Sequence, residues 1–312
     1  MANGDVAYAK ASIAKGSQSF AAASRLLPAD VRDDVVRLYA WCRHADDVID
    51  GQDHGHGVHA ADDPAAALAD LRAKTDAVLS GTVLGEPVFD GLGVVARARG
   101  LTPRLCHDLL DGFQMDVTGR QYRTEDDLAE YCYGVAGAVG VMMALTIGVE
   151  PEDTDTLDRA CDLGLAFQMT NIARDVIADA LTGRVYLPAE WLAAEGLPAT
   201  PEAVAAPQNA DAVFAASDRL VGAAERYYAS AQVGMARLPF RIAWAIAAAA
   251  SVYREIGVRR RSAGPAGLPT RVSTGTASKL RLIGRSGVWA ARRVAPERAL
   301  SREGLWTRPP RP

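Results

Sequence analysis

The sequence predicts an all-α protein. It has 312 residues, of which 49% are hydrophobic and only 6% aromatic. Abundant alanine favours closely packed helices, whereas pleated sheets favour β-branched and aromatic side chains. Apolar residues recur at spacings of three and four along most of the chain, and no run alternates persuasively as a strand. A chain of this length buries a large core in one or two domains.

Six helices are predicted from this periodicity. They span residues 31–51, 102–118, 124–148, 152–180, 211–236 and 238–258. Helix-start and helix-stop residues support these limits, because Pro28 and Asp30 precede the first helix, Gly51 ends it and Thr102-Pro103 opens the second. The polar segment 51–63 and the Pro- and Ala-rich segment 199–209 are predicted surface loops.

Three glycines, Gly134, Gly137 and Gly140, fall near one stripe of the helix at 124–148. The missing side chains allow a neighbouring helix or a ligand to approach closely. Tight helix packing is favoured over a substrate wall.

The N-terminal residues contain no signal-peptide pattern, and the longest apolar segment, Ile242 to Ala250, is too short to span a bilayer. Four well-separated cysteines without a C-x-x-C pair argue against a thiolate metal site and a disulfide framework. We therefore expect a cytoplasmic protein with reduced thiols.

Charge is distributed unevenly. From Arg254 onward, 14 Lys or Arg stand against three Glu, which gives +11 and leaves −15 for the rest of a chain whose net charge is −4. Residues 279–294 alternate cationic and apolar side chains, with Trp289 and Trp306 nearby. The segment is expected either to lie on an anionic membrane, so that the protein is peripheral to its inner face, or to be a disordered tail beyond Arg298. Nucleic-acid binding is not expected, since no recognition motif accompanies the charge.

Two acidic clusters indicate the chemistry. Asp46 and Asp50 are four residues apart and share a helix face, and Asn171, Asp175 and Asp179 repeat this spacing in an otherwise apolar segment. One such pair costs only about 0.2–0.5 kcal/mol on an exposed helix, so alone it is typical of a solvated face. The second cluster lies in an apolar segment, so its carboxylates are predicted to face an interior cavity rather than solvent.

Oxygen ligands of this kind favour Mg²⁺, with Mn²⁺ as the alternative. Mg²⁺ completes its coordination with water and phosphate oxygens, so two opposed Asp-bearing helices suit a diphosphate bridged by metal ions. Arg43 and Arg174 adjoin the two clusters. They either grip phosphate oxygens or pair locally with the carboxylates.

Several segments together resemble the squalene and phytoene synthase family, and within it the bacterial phytoene synthases. The segments are SQSFAAASRLLP (17–28), LYAWCRHADDVID (38–50), GFQMDVTGRQY (112–122), YCYGVAGAVGVMM (131–143), LDRACDLGLAFQMTNIARDVIADA (157–180) and GRVYLPAEWL (183–192). The resemblance covers nearly the whole chain. It implies the class I isoprenoid synthase fold, a single helical domain around a deep apolar cavity, over residues 1–296, with a basic, flexible tail at 297–312.

The resemblance also implies an enzyme, a prenyltransferase of carotenoid biosynthesis. Two geranylgeranyl diphosphates would join head to head through a cyclopropyl diphosphate to give 15-cis-phytoene and diphosphate, with Mg²⁺ and without NADPH. The alternative is a C15 enzyme that makes dehydrosqualene or presqualene diphosphate from farnesyl diphosphate. A helical binding protein without activity is the remote alternative, and a di-iron bundle or a His-Asp phosphohydrolase is disfavoured by the ligand types.

Residue roles follow from the same resemblance. The implied metal ligands are Asp46, Asp50, Asn171, Asp175 and Asp179, and the implied catalytic group is Asp46, Asp50, Asp175, Asp179 and Arg43. The implied substrate-binding residues are Ser17, Ser19, Tyr39, Arg43, Tyr131, Gln168, Asn171, Arg174, Arg184, Tyr253 and Arg271. Gly16 and Gln18 depart from the family pattern, so the phosphate contacts made at these two positions in the family are not expected here. Lys279 is the alternative to Arg271. The loop 183–188 is expected to close over the site, with Arg184 reaching phosphate and Tyr186 shielding the cation.

Overall fold

A computed structural model describes residues 2–16, 18–51, 63–293 and 301–309. These residues form fourteen α-helices and no strand, which confirms the predicted all-α class. The helices are α1 (Ala2–Gly16), α2 (Gln18–Ser24), α3 (Ala29–Asp50), α4 (Pro64–Leu79), α5 (Pro87–Arg99), α6 (Pro103–Val117), α7 (Glu125–Cys132), α8 (Ala138–Thr146), α9 (Thr154–Leu181), α10 (Ala189–Ala194), α11 (Pro201–Ala205), α12 (Ala210–Arg237), α13 (Phe240–Ala263) and α14 (Thr276–Arg292).

The six predicted helices correspond to α3, α6, the pair α7 and α8, α9, α12 and α13. One π-helical turn, Tyr133–Gly137, joins α7 to α8 and makes them continuous. The unpredicted helices are α1, α2, α4, α5, α10, α11 and α14. Of these, α4 and α5 carry a proline in the first turn, a recognisable start signal. The side chain of Asp63 caps α4 by accepting the Ala66 N–H at 3.0 Å.

The centre of the fold is α9, which packs against α8, α12 and α13. Its side chains Leu157, Leu165 and Met169 are completely buried. Burial of each contributes about 1.5–3 kcal/mol to folding. This packing fixes the direction in which α9 presents its polar residues.

Glycines allow the central helices to approach closely. A Cβ on Gly112 of α6 would lie 2.7 Å from the Val135 nitrogen, and one on Gly164 of α9 would overlap the Ala136 carbonyl. A Cβ on Gly140 would overlap the Ala160 carbonyl. The glycine stripe therefore serves helix packing, as favoured from the sequence.

The helix predicted at 124–148 is more apolar than expected. Glu125–Thr146 has 22 residues with a mean hydropathy of 1.5, enough by length and composition to cross a membrane, whereas Ile242 to Ala250 was taken as the longest apolar segment. In this fold 67% of its apolar window is buried inside the protein. It packs here as a core helix.

Residues 301–309 lie on the helical body. Arg302 donates to Asp162 on α9 at 2.8 and 2.9 Å, and Arg308 lies 2.5 Å from Asp158. The ring of Trp306 packs 5.1 Å from that of Tyr133. This part of the segment predicted as a flexible tail is thus bound to α9, while the division at residues 296 and 297 stays a prediction.

Candidate active site between α3 and α9

The α3 wall of the site carries Asp46 and Asp50 one turn apart. Arg43 lies 3.0 Å from Asp46 and 2.5 Å from Asp47, so it pairs with carboxylates of its own helix. The pairing places a guanidinium beside the predicted metal ligands. A phosphate group that enters the site could replace these carboxylates as the hydrogen-bond acceptor of the Arg43 guanidinium.

The α9 wall carries Asn171, Asp175 and Asp179 on successive turns. Arg174 pairs with the neighbouring Asp175, with its Nε 2.9 Å from the carboxylate. Arg271, which is 96 residues away in the chain, lies 3.2 Å from the same carboxylate. The structure thus brings Arg271 to the site, whereas Lys279 on α14 forms no ion pair with any described residue.

The loop after α9 joins the two walls. Gly183 adopts a φ of +86°, a left-handed conformation that glycine tolerates best, and turns the chain back towards α3. The Arg184 guanidinium then lies 2.8 Å from Asp50, and its backbone N–H donates to the Asp179 carbonyl at 2.9 Å. The predicted loop therefore contacts both acidic helices.

Carboxylate protonation reflects the crowding of like charge. Burial raises the pKa of Asp46 to about 7; Arg43 opposes this shift and Asp50 adds to it. Burial likewise raises the pKa of Asp179 to about 7, with Asp175 adding to the shift and Arg184 opposing it. A bound cation would relieve this repulsion on both walls.

The donors present fit a hard divalent cation. All five predicted ligands offer side-chain oxygens, and Asn171 Oδ1 is buried without a hydrogen-bond partner. A metal ion would satisfy that acceptor. Among the described residues, no group of three or more His, Cys, Asp or Glu side chains is placed to hold a metal ion. Oxygen donors of the kind predicted here are those that Mg²⁺ prefers, together with water and phosphate ligands.

A third acidic residue, Asp116 on α6, adjoins the loop. It accepts hydrogen bonds from the hydroxyls of Tyr131 at 2.9 Å and Tyr186 at 2.8 Å. Burial raises the pKa of Asp116, and the Tyr186 hydrogen bond opposes the shift. Asp116 lies in the segment 112–122, which carries the family resemblance, but it was not among the predicted site residues.

Aromatic side chains pack together beside the two walls. The ring of Phe20 on α2 lies 5.9 Å from Tyr39, 5.9 Å from Phe167 and 5.4 Å from Tyr253. Tyr39 and Tyr253 were predicted; Phe20 and Phe167 were not. Gly16 leaves room here, since a Cβ would stand 2.9 Å from the Tyr39 hydroxyl oxygen.

Some predicted residues lie outside this description. Ser17 falls outside the described residues, and Ser19 is placed in α2 by its backbone alone. Gln168 is one turn from Asn171 and accepts a 3.4 Å hydrogen bond from its amide. Their roles, like those of the other predicted site residues, stay predictions.

Comparison with known proteins places this geometry in a family. A sequence profile described as squalene/phytoene synthase matches residues 13–277. The chain is 53% identical to a 15-cis-phytoene synthase from Paracoccus sp. over 297 residues, covering 95% of each chain. It is 50% identical to that of Pantoea ananas over 278 residues, covering 88% of this chain and 89% of the relative.

Solved structures agree. A dehydrosqualene synthase crystal structure superposes with a TM-score of 0.80 at 30% identity, covering 93% of this chain and 98% of that one. A squalene synthase from Alicyclobacillus acidocaldarius shares the fold with a TM-score of 0.72 at 22% identity, covering 83% and 94%. The resemblance and fold inferred from sequence are thereby confirmed. The chain belongs to the squalene/phytoene synthase family, whose members are divalent-metal-dependent prenyltransferases acting on prenyl diphosphates.

Proposed function

We propose that this chain is a 15-cis-phytoene synthase that condenses two geranylgeranyl diphosphates. The observation that carries the proposal is the pairing of two aspartate-bearing helices, α3 and α9, across a loop whose Arg184 contacts both. Identity of about 50% to enzymes named 15-cis-phytoene synthase supports this substrate and product.

The diphosphate end of the substrate is assigned to the two walls. Asp46 and Asp50 would hold metal from α3, and Asn171, Asp175 and Asp179 from α9. Mg²⁺, the proposed ion, would supply positive charge to the leaving diphosphate. Arginines that now pair with these carboxylates would transfer to phosphate oxygens, for which the planar guanidinium is well suited. They are Arg43, Arg174, Arg184 and Arg271.

The carbon chemistry is assigned to the aromatic cluster beside the walls. One substrate loses diphosphate as an allylic cation, and the double bond of the second attacks it; proton loss then closes a cyclopropane. The cyclopropyl diphosphate ionises in turn, rearranges and loses another proton, so no reductant is consumed. The faces of Tyr39, Phe167 and Tyr253 stabilise cationic carbon electrostatically.

The loop 183–188 is assigned the exclusion of water. It is held at two points, by Arg184 to Asp50 and by Tyr186 to Asp116. A water-excluded site protects a carbocation from capture and strengthens electrostatic contacts. This assignment gives Asp116 a positioning role through two tyrosines.

The C15 alternative keeps the same chemistry. Similarity to a dehydrosqualene synthase at 30% identity supports it, but less strongly than about 50% identity supports the C20 substrate. Purified protein with Mg²⁺ and either geranylgeranyl or farnesyl diphosphate, with and without NADPH, separates these functions by product mass. A C40 hydrocarbon without NADPH is expected. A C30 product would replace the substrate assignment, and absence of diphosphate release from either would overturn the enzyme assignment.

A cytoplasmic location is proposed as well, in keeping with the four free cysteines, which are expected to stay reduced.

A further inference from the structure

Helix α14 is fixed to the body by one face. Its residues Leu282, Ser286 and Ala290 are buried against α13. Trp244 of α13 donates its indole N–H to the Ile283 carbonyl at 2.8 Å, which anchors the middle of the helix. The opposite face of α14 therefore has a defined orientation towards solvent.

That outward face carries an apolar stripe. Leu280 is 65% exposed and Val288 is 56% exposed, and Gly284 and Ala291 lie on the same stripe at helical spacing. Phe240, 40% exposed, adjoins it through the ring of Trp244 at 5.8 Å. Exposed apolar side chains gathered in one place mark an interaction surface more often than scattered ones do.

Arginines border the stripe. Arg281, Arg285 and Arg292 are exposed and follow one another at spacings of four and seven residues along the next strip of the helix. Residues 276–293 contain no Asp or Glu, and within the described chain none of the three arginines forms an ion pair. By contrast, Arg37 on α3 pairs with two aspartates and Arg159 on α9 pairs with Asp155. The charge on α14 is thus left without a protein partner.

We propose that this outward face of α14 docks on an anionic lipid bilayer. Each cation near such a surface strengthens the attraction to anionic headgroups, and the apolar stripe adds burial at the acyl boundary. A nucleic acid would use the charge but not Leu280 and Val288, so the combination favours lipid. The phosphate-bearing acidic headgroups are the partner chemistry.

Helix α14 begins five residues after Arg271 of the candidate site. The chain that enters α14 passes Arg271, which contacts Asp175, and Arg259 donates to Ser278 in the first turn at 2.6 Å. Docking would hold the site beside the bilayer. This step rests on the proposed function, in which the substrate is a lipid diphosphate and the product a hydrocarbon that dissolves only in the bilayer.

Trp289 and Trp306, which were expected near the membrane, do not form this surface. Trp289 packs against the cluster that includes Met235 and Ala250, and Trp306 packs against Tyr133. The proposed membrane contact is therefore made by Leu280, Val288 and the three arginines, and not by the tryptophans.

Vesicle flotation of the full chain tests the proposal. Protein is mixed with phosphatidylcholine vesicles with and without phosphatidylglycerol, and the bound fraction is measured over lipid concentration at low and raised salt. Binding to the anionic vesicles alone is expected, and R281E/R285E should weaken it at least tenfold. The matched control is R97E/R123E, which changes charge equally at exposed arginines without ion pairs elsewhere and should leave binding within about twofold.

A second pair separates bilayer contact from charge alone. L280S/V288S should weaken binding several-fold, whereas V83S, at a 66% exposed valine elsewhere, should not. Equal losses in R97E/R123E, no effect of L280S/V288S, or absent binding by the unaltered chain would each overturn the proposal. So would a dimer in size-exclusion chromatography that L280S/V288S dissociates. Diphosphate release in detergent solution, measured on every variant, reports the proposed function separately, because failure there leaves the flotation result intact.

Discussion

Arg184 and Asp50 form a 2.8 Å ion pair that closes the candidate site. They are 134 residues apart, and the pair ties the loop after α9 to the end of α3. The Arg184 backbone also donates to the Asp179 carbonyl, so one residue contacts both acidic helices. This residue is therefore placed to respond when a diphosphate enters between them.

Replacement of Arg184 by alanine should impair turnover of the prenyl diphosphate. Hydrogen bonds to charged groups contribute about 1.5–3 kcal/mol, so kcat/KM is expected to fall by about 10- to 100-fold. Steady-state diphosphate release measures this. Arg184→Lys should recover part of the loss, because lysine keeps the positive charge but cannot donate the two parallel hydrogen bonds of a guanidinium.

The control for Arg184→Ala is Arg123→Ala, an exposed arginine for which no ion pair is seen in the described chain. It should leave kcat/KM unchanged. If Arg184→Ala leaves both turnover and diphosphate affinity unchanged, the loop is only a turn after α9 and has no part in substrate binding.

Asn171 should separate metal binding from folding. Its Oδ1 is buried without a hydrogen-bond partner, so Asn171→Leu removes an unsatisfied acceptor and should leave the metal-free protein equally or slightly more stable. The same change should raise the Mg²⁺ concentration that half-saturates activity at least tenfold. Mg²⁺ titration of thermal stability with inorganic diphosphate gives a readout independent of turnover.

Thr75→Val is the matched control for Asn171→Leu. Thr75 Oγ1 is likewise buried without a partner, but it lies on α4, which carries none of the predicted metal ligands. It should affect stability similarly and leave the Mg²⁺ requirement unchanged. An unaltered requirement in Asn171→Leu would remove Asn171 from the ligand set.

The parts of the site that depend only on local spacing could be predicted from the sequence. Asp46 and Asp50 share a face because a helix has about 3.6 residues per turn, and this needs no tertiary information. The contact of Arg271 with Asp175 crosses 96 residues and was available only through family resemblance. The Asp116 and Tyr186 contact spans 70 residues and gave no local signal.

The C-terminal segment shows the same limit. Residues 297–312 were predicted to form a basic, flexible tail. Its partners, Asp158 and Asp162, lie 140 to 150 residues earlier on α9, so no local pattern indicates the pairing. The short helices α10 and α11 were missed because five or six residues carry too little periodicity.

Gly164→Ala should destabilise the fold through a collision between helices. Its Cβ would overlap the Ala136 carbonyl, which is backbone and cannot rotate away. A loss of about 1–3 kcal/mol is expected, measured as a lower Tm.

Gly222→Ala provides the comparison, because it also adds a methyl within a long helix but finds only the tip of Arg261 at 3.7 Å. It should be neutral or stabilising by up to about 1 kcal/mol from helix propensity. Equal Tm values for the two variants would contradict close packing of Gly164 on α9 against the π-helical turn Tyr133–Gly137.

Arg302→Met should destabilise the protein because it leaves a buried carboxylate without its cation. Asp162 is completely buried, and breaking such a pair costs about 3–5 kcal/mol, whereas Arg226→Met at an exposed pair should cost about 1 kcal/mol or less. Burial raises the pKa of Asp162 and Arg302 opposes the shift, so the folded state without Arg302 holds the proton more tightly. Protonation of Asp162 therefore stabilises the folded variant at pH values below the pKa of Asp162 in the unfolded chain. This stabilisation is lost as pH rises through the higher pKa of the folded state. The loss of stability caused by Arg302→Met should therefore be larger at alkaline than at acidic pH. Adding Asp162→Asn should recover most of it, and a pH-independent defect would show that the pair does not hold residues 301–309 on α9.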